Sequence, residues 1–240
     1  ERFRTHRIHK GRTEISSITI KEKIKQLITK HEITLNSVKD QQQLIDPGVI
    51  ETLIHAAGVY GGDTVLEVGP GCGNITVPLA ERARKIIAVE KDHKFLPCLE
   101  ERLRGYNNVE IIIANILDVN LPVFTKLVSN IPYSISEALI QKLFYCTFAA
   151  ASFMVSKGFA DILTASVEGP GYSKLSLLSQ KFYNIELIDH IPPKAYYPEP
   201  NTSTSIILIS PKPPEDLGTV ILREVILQND KKLKNALREA

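Results

Sequence analysis

Three stretches of this chain hold side chains whose types and spacing could do chemistry. The first is EVGPGCGN, Glu67–Asn74, which follows an apolar run and opens a helical pattern. Its glycines Gly69, Gly71 and Gly73 let the backbone turn tightly and come close to a ligand, because no Cβ intervenes. The spacing is G-x-G-x-G, not the G-x-G-x-x-G of dinucleotide binders, and no Lys-Ser/Thr pair follows as in a phosphate-binding loop. A nicotinamide-dependent oxidoreductase is therefore disfavoured, and a cofactor without phosphates fits better. The second is Glu90, which ends the run KIIAVE about twenty residues later, where an acidic side chain can accept hydrogen bonds from two ribose hydroxyls. Together they describe a pocket for an adenosine-containing cofactor, and S-adenosylmethionine is the one that meets both conditions.

The third stretch is SNIPYSIS, Ser129–Ser136. Asn and Pro alone would fit a strand-ending turn, and Tyr often packs at a rim. A site that grips a flat, amino-bearing base accounts for all four residues of Asn130-Ile131-Pro132-Tyr133. The amino nitrogen of adenine is a poor nucleophile, because its lone pair is delocalised into the ring. Two acceptors holding its two hydrogens favour a pyramidal nitrogen whose lone pair faces a methyl donor. The Asn130 side-chain oxygen can be one acceptor and the Ile131 carbonyl the other. Pro132 stiffens the loop, and Tyr133 can stack on a base taken out of its own stack. This is catalysis by positioning and electrostatics, since the Asn amide cannot act as a base.

The elements that must position these residues are legible as alternating patterns. IKEKIKQLITK, Ile20–Lys30, has the apolar spacing of an amphipathic helix. A second helix follows from Asp46, with Pro47 at its first position and Gly58 near its end. TVLEV, KIIAVE, VEIIIA, KLVSN and AASFMVS read as strands, separated by helices over 73–82, 93–103 and 136–144. A further helix near 175–181 and a closing strand pair, YNIELIDHI and STSIILIS, complete the pattern. Repeated units of this kind give an α/β fold, a mostly parallel twisted sheet with helices on both faces. Ligands bind such sheets beyond the carboxyl ends of their strands, where the glycine loop, Glu90 and Asn130 all fall.

Three domains are expected: a flexible basic leader over 1–19, a cofactor-binding domain over 20–210, and a linker with the start of a helical module over 211–240. The chain has 240 residues, 43% hydrophobic and 23% charged, with a net charge of +2. That is ordinary globular composition and points only weakly to nucleic acid. No apolar run reaches the roughly 18–20 residues of a membrane span, so a membrane partner is not expected. The first residues lack the apolar core of a secretory signal. Cys72, Cys98 and Cys146 are scattered, fitting buried thiols in a reducing compartment, and the six His are dispersed. No metal site is expected.

With these motifs in place, the sequence resembles the ribosomal RNA adenine dimethyltransferases, archaeal members most of all. The resemblance runs from about Ile24 onward through QLID, EVGPGCGNIT, AVEKD, SNIPYSIS, GYSKLSLLSQ, IPPKAYYPEP and NDKKLKNAL. It implies a Rossmann-like class I methyltransferase fold with a remnant of a small helical C-terminal domain. The implied activity is S-adenosylmethionine-dependent dimethylation of N6 on two adjacent adenosines near the 3′ end of small-subunit ribosomal RNA. Implied cofactor contacts are Gln42, Leu44, Gly69, Gly71, Glu90, Asn115 and Asn130. Implied RNA contacts are Tyr133 and Tyr196, sandwiching the base; the charges of Lys231, Lys232 and Lys234 fit phosphate contacts and equally a solvated helix face. The partner would be the immature small ribosomal subunit, met by a monomer in the cytoplasm, or in the mitochondrion or nucleolus if the chain is eukaryotic and a segment precedes it.

The chain departs from the family pattern at three single positions and in one stretch, NTSTS at 201–205, where Lys-Val-Asp-Ser is usual. Asp40 stands where Gly is usual, Gln43 where Phe is usual, and Asn115 where an Asp usually meets the cofactor adenine. These departures keep a second reading open: an RNA- or DNA-binding assembly or transcription factor on the same fold, with methylation dispensable.

Overall fold

The computed structural model describes residues 18–36 and 40–213, together with Ile221 and Val225. The basic leader, Lys231, Lys232, Lys234 and most of the expected C-terminal module lie outside the described residues. Helix α1 (Ile20–Lys30) is closed by a capping box between Thr19 and Glu22. The two-residue strand β1 (Gln43–Leu44) precedes α2 (Pro47–Ala57). As the sequence predicts, Asp46 caps α2 by accepting from the Gly48 and Val49 N–H groups, and Gly58 ends it in a left-handed conformation.

The central sheet is built from β2 (Thr64–Val68), β3 (Lys85–Glu90), β4 (Val109–Ile113), β5 (Lys126–Asn130) and β6 (Ala150–Ser156), all parallel, closed by β7 (Tyr183–Ile191) and β9 (Thr204–Pro211). Its order is β4-β3-β2-β5-β6-β9-β7, and β9 runs antiparallel to both of its neighbours. The five parallel strands are short, and β2, β3, β5 and β6 are buried for most of their length, which is why they read as apolar runs, whereas β4 at the sheet edge is only partly buried. A separate antiparallel pair joins β1 to β8 (Tyr196–Tyr197).

Alternate residues of each strand feed opposite cores. Leu66, Val68 and Leu127 pack with Leu139, Ile140 and Leu143 of α5 (Ser136–Leu143), and with α6 (Lys157–Thr164) and α7 (Lys174–Phe182). Val65, Ile86 and Val128 pack on the other face with α2 and with Leu79 of α3 (Thr76–Ala80). A third cluster joins Ile24 and Leu27 of α1 to Phe95, to Cys72 of the glycine loop and to Cys98 of α4 (Leu96–Arg102). Truncating a fully buried leucine such as Leu139 or Leu66 would cost about 2–5 kcal/mol.

Three differences from the sequence expectations have local causes. The helix expected over 73–82 contracts to Thr76–Ala80, because residues 71–75 form a turn. Asn74 there donates to the Leu44 carbonyl at 2.7 Å and also meets Arg102, which draws it out of helical geometry. Helix α6 was not expected. It starts directly from β6 with no turn residue between, capped only by Ser156, which accepts from Phe159 N–H. The β1–β8 pair was not expected either, since a two-residue ladder depends on a partner some 150 positions away.

Candidate active site

The strand order reverses at β2, whose neighbours are β3 on one side and β5 on the other. Loops leaving β2 and β5 there diverge and leave a crevice. The Ser129 hydroxyl, donating to the Val68 carbonyl at 2.6 Å, pins the two strand ends together at its base. The cleft above them measures about 600 Å³. Gly69, Gly71 and Val68 line it from β2, Glu90 and Asp92 from β3, Asn115 and Ile116 from β4, and Asn130, Pro132 and Ile135 from β5. Residues 40–43 form the remaining wall.

Two of the glycines are required by geometry. Gly69 has φ +70°, and a Cβ there would sit 3.6 Å from the Pro132 ring, so the glycine loop and the Asn130–Tyr133 loop approach closely. Gly71 has φ +56°, and a Cβ there would lie 2.6 Å from Gln43 Oε1. Gln43, in place of the usual Phe, accepts from the Cys72 backbone N–H at 2.9 Å and holds the loop by a hydrogen bond.

Glu90 is 6% exposed. Its Oε2 accepts from Gly71 N–H at 3.0 Å and its Oε1 from Asp92 N–H at 2.8 Å. Burial raises its pKa above the usual carboxylate range, and these two backbone bonds oppose the rise. Each oxygen keeps a second lone pair for a ligand hydroxyl. Asn115 lines the cleft with its amide engaged at the β4 loop: Oδ1 accepts from Leu117 N–H at 3.2 Å and Nδ2 donates to Asp118 at 2.9 Å. Lys142 of α5 steadies that loop by donating to the carbonyls of Ile116, Leu117 and Val119.

Asn130 Oδ1 is buried and has no hydrogen-bond partner among the described residues. A buried amide oxygen in this condition costs on the order of 1–3 kcal/mol, and it sits at the end of β5 on the cleft wall. Tyr133, half-buried, stands in the turn that follows. Burial first, and then the charge of Asp40, pushes the Tyr133 phenol up to about 12, so it stays neutral throughout the working pH range. The Ile131 side chain is 1% exposed and belongs to the core, so any part it takes in the site is through its backbone.

Two expected contacts lie elsewhere. Tyr196 does not line the cleft. It is 1% exposed, packed among Ile191, Ala195 and Ile206, and its hydroxyl pairs with Thr204 at 2.8 Å. Of the two adjacent tyrosines, Tyr196 turns inward and Tyr197 remains half-exposed, with Lys21 and Lys25 over its ring. Leu44 likewise packs its side chain into the core and presents only its carbonyl, which Asn74 occupies. Gln42 does line the cleft. Sequence reasoning missed Gln41, Asp92 and Ile116 as cleft residues and noted Gln43 only as a departure from pattern; the run Gln41–Gln43 leading into β1 was the available signal.

Beneath the glycine loop, Glu67 is 1% exposed, and its Oε2 has no hydrogen-bond partner among the described residues. Burial, with the charge of Glu90 adding to it, pushes its carboxyl up to about 8. A folded-state pKa above the unfolded value means that the folded chain holds the extra proton. The associated stability is complete below the ordinary 4.5 and is lost as pH rises through about 8. Glu67→Gln lacks this titration. Its stability relative to the native chain, read by denaturant melts, should therefore rise between pH 5 and pH 8, by roughly 3–5 kcal/mol. A pH-independent difference would show that Glu67 is ionised in the fold.

Among the described residues no group of three or more His, Cys, Asp or Glu is placed to hold a metal ion. No helix among them is long and apolar enough to cross a membrane.

This sheet order, with one reversed strand and a glycine-lined cleft at the switch point, defines a class I S-adenosylmethionine-dependent methyltransferase. The model for the family "Ribosomal RNA adenine dimethylase" matches residues 33–240. The chain is 34% identical over 218 residues to a Methanosphaera stadtmanae protein named "Probable ribosomal RNA small subunit methyltransferase A", spanning 89% of this chain and 80% of that one. It is 36% identical over 215 residues to the Pyrococcus abyssi protein of the same name, again with 89% and 80% covered. The solved dimethyladenosine transferase of Plasmodium falciparum superposes with a TM-score of 0.68 at 30% identity, covering 80% of this chain and 74% of that one. The chain belongs to the ribosomal RNA adenine dimethylase family. It is an S-adenosylmethionine-dependent enzyme that methylates adenine N6 in ribosomal RNA, which favours the catalytic reading over a binding factor with dispensable chemistry.

Proposed function

We propose that the cleft holds S-adenosylmethionine along the β2–β3 ends and receives adenine over the Asn130–Tyr133 loop. The substrate would be two adjacent adenosines near the 3′ end of small-subunit ribosomal RNA, met by a monomeric enzyme in the cytoplasm on immature small subunits. The names of the Methanosphaera and Pyrococcus relatives support the small subunit as target. The observation that carries the assignment within the cleft is the unpartnered Asn130 oxygen, buried beside a glycine loop. An adenine amino hydrogen is the partner that would satisfy it.

The residues present suit the cofactor. Gly69 and Gly71 leave room for close backbone approach, Glu90 offers lone pairs to the ribose, Asn115 borders the adenine end, and Gln42 closes the side. When bound, S-adenosylmethionine supplies an electrophilic methyl group. Asn130 Oδ1 and the Ile131 carbonyl would hold the two N6 hydrogens and turn the lone pair toward that methyl group. Pro132 fixes the direction of the carbonyl, and the neutral Tyr133 ring offers a stacking face. No side chain needs to take a proton before the transfer, because the transition state gains positive charge on nitrogen and the two acceptors stabilise it directly; the N6 proton would then be released to solvent to leave neutral methyladenine.

The deciding experiment is methyl transfer from labelled cofactor to immature small subunits, followed by mapping of the modified base. Label on two neighbouring adenosines near the 3′ end is expected, and label confined to other positions, or no label at all, would refute the target. If Lys231, Lys232 and Lys234 neutralise phosphates, affinity for the subunit RNA should fall steeply with salt, with a logarithmic slope of about −0.7 to −0.9 per contact. A flat salt dependence would remove those lysines from the interface.

A further inference from the structure

The four residues before and within β1 are bonded to three different walls of the cleft. Asp40 Oδ2 accepts from the Ser134 backbone N–H at 3.0 Å, in the turn directly after Tyr133. Gln41 Nε2 donates to Asp92 Oδ2 at 2.8 Å, two residues beyond Glu90, and its Oε1 accepts from Lys94 Nζ at 2.6 Å. Gln43 reaches the glycine loop through Cys72 N–H. Gln42, 8% exposed, lies between these ties on the cleft wall. One short segment therefore touches the loops of β2, β3 and β5 together.

Asp40 is the tie to the base-facing wall, and its backbone is strained. It has φ +55°, a region that favours Gly and that Asn and Asp tolerate best among other residues. The usual Gly would be comfortable there but has no side chain to reach Ser134. The Asp40 side chain spans 94 positions of sequence to bond a single peptide N–H, the one whose carbonyl partner belongs to Tyr133. Its charge, after burial, adds to the raised pKa of the Tyr133 phenol. The bond restrains the Tyr133–Ser134 peptide group, and so the backbone from which the Tyr133 ring projects.

We propose that Asp40 is a positioning residue for methyl transfer, its carboxylate tying residues 40–43, which wall the cofactor cleft, to the turn that seats the target adenine against Tyr133. Asp40 itself touches neither reacting atom. The proposal rests on the reading of Asn130–Tyr133 as the adenine platform. It assigns a function to a departure from the family pattern, and it makes occupancy of the cofactor cleft visible at the base.

Three variants of the full chain separate this role from a stitch that only stabilises a loop. Asp40→Asn keeps an acceptor and tolerates the same φ. Asp40→Gly relieves the strain but removes the acceptor. Asp40→Ala removes the acceptor and keeps the strain. The readouts are the thermal midpoint, kcat on immature small subunits, and the fluorescence of an RNA oligonucleotide carrying 2-aminopurine next to the intact target adenosines, with and without S-adenosylhomocysteine. The chain contains no Trp, so the probe dominates the signal. Asp40→Asn should stay within about threefold of the native kcat, whereas Asp40→Gly should lose about tenfold, the worth of one charge-assisted hydrogen bond, with its thermal midpoint unchanged or higher. S-adenosylhomocysteine should alter the probe signal of the native chain and of Asp40→Asn, but not that of Asp40→Gly or Asp40→Ala. Native kcat and a native cofactor response in Asp40→Gly would overturn the proposal, as would equal losses in Asp40→Asn and Asp40→Gly. A native chain whose probe signal does not change on binding would instead overturn the platform reading on which the proposal rests.

Discussion

Asn130→Ala should lower kcat for adenine methylation by about 10²–10³, the usual cost of about 2.7–4 kcal/mol for one preorganised hydrogen-bonding group. Binding of S-adenosylmethionine should persist, because Glu90 and the glycine loop are untouched, but weaken modestly, because Asn130 is itself expected near the methyl donor. RNA affinity should change little, since phosphate contacts supply most of it. The structure adds a control that the sequence could not. Asn130 Oδ1 has no partner among the described residues, so truncation removes an unsatisfied buried acceptor and breaks no intramolecular hydrogen bond at that oxygen. The thermal midpoint should therefore hold or rise. A variant that loses activity together with stability would point to a structural role for Asn130. One that methylates at nearly the native rate would remove Asn130 from the chemistry.

That prediction could be framed from sequence because the relevant signals are local. TVLEV, KIIAVE, KLVSN and AASFMVS occupy β2, β3, β5 and β6 residue for residue, since buried parallel strands are short apolar runs with sharp polar boundaries. Given those boundaries, the glycines, Glu90 and Asn130 had to emerge at the carboxyl edge. What sequence did not reveal is set by distant pairing. Tyr196 and Tyr197 are adjacent and chemically alike, and only the ladder to Gln43 and Leu44 decides which one faces the core. The tyrosine expected against the base is the buried one. The three glutamines read as a departure from pattern at Gln43, yet Gln41 and Gln43 hold cleft walls to which no local signal links them. Their function became legible only when Asp92 and Cys72 were found opposite them.

Glu90→Ala should weaken S-adenosylmethionine binding by at least tenfold in calorimetry, with the fold retained. The lost contacts are two hydrogen bonds from neutral hydroxyls to a charged acceptor, worth roughly 1.5–3 kcal/mol each at best. The variant also leaves the N–H groups of Gly71 and Asp92 without their carboxylate, which loosens the loop that must approach the ligand. Glu90→Gln keeps one oxygen acceptor and should fall between the two. The pH dependence has a definite sign. Burial raises the Glu90 pKa in the ligand-free fold, and ribose hydroxyls donating to the carboxylate would lower it again, so binding and deprotonation are linked. Affinity should therefore decline as pH falls through that raised pKa, which lies above the ordinary value of 4.5. In Glu90→Gln the decline should be absent, whereas RNA binding without cofactor should follow the same pH course in both proteins. An unchanged affinity in Glu90→Ala would mean that the ribose is held elsewhere in the cleft, and the assignment of β3 as the ribose wall would fall with it.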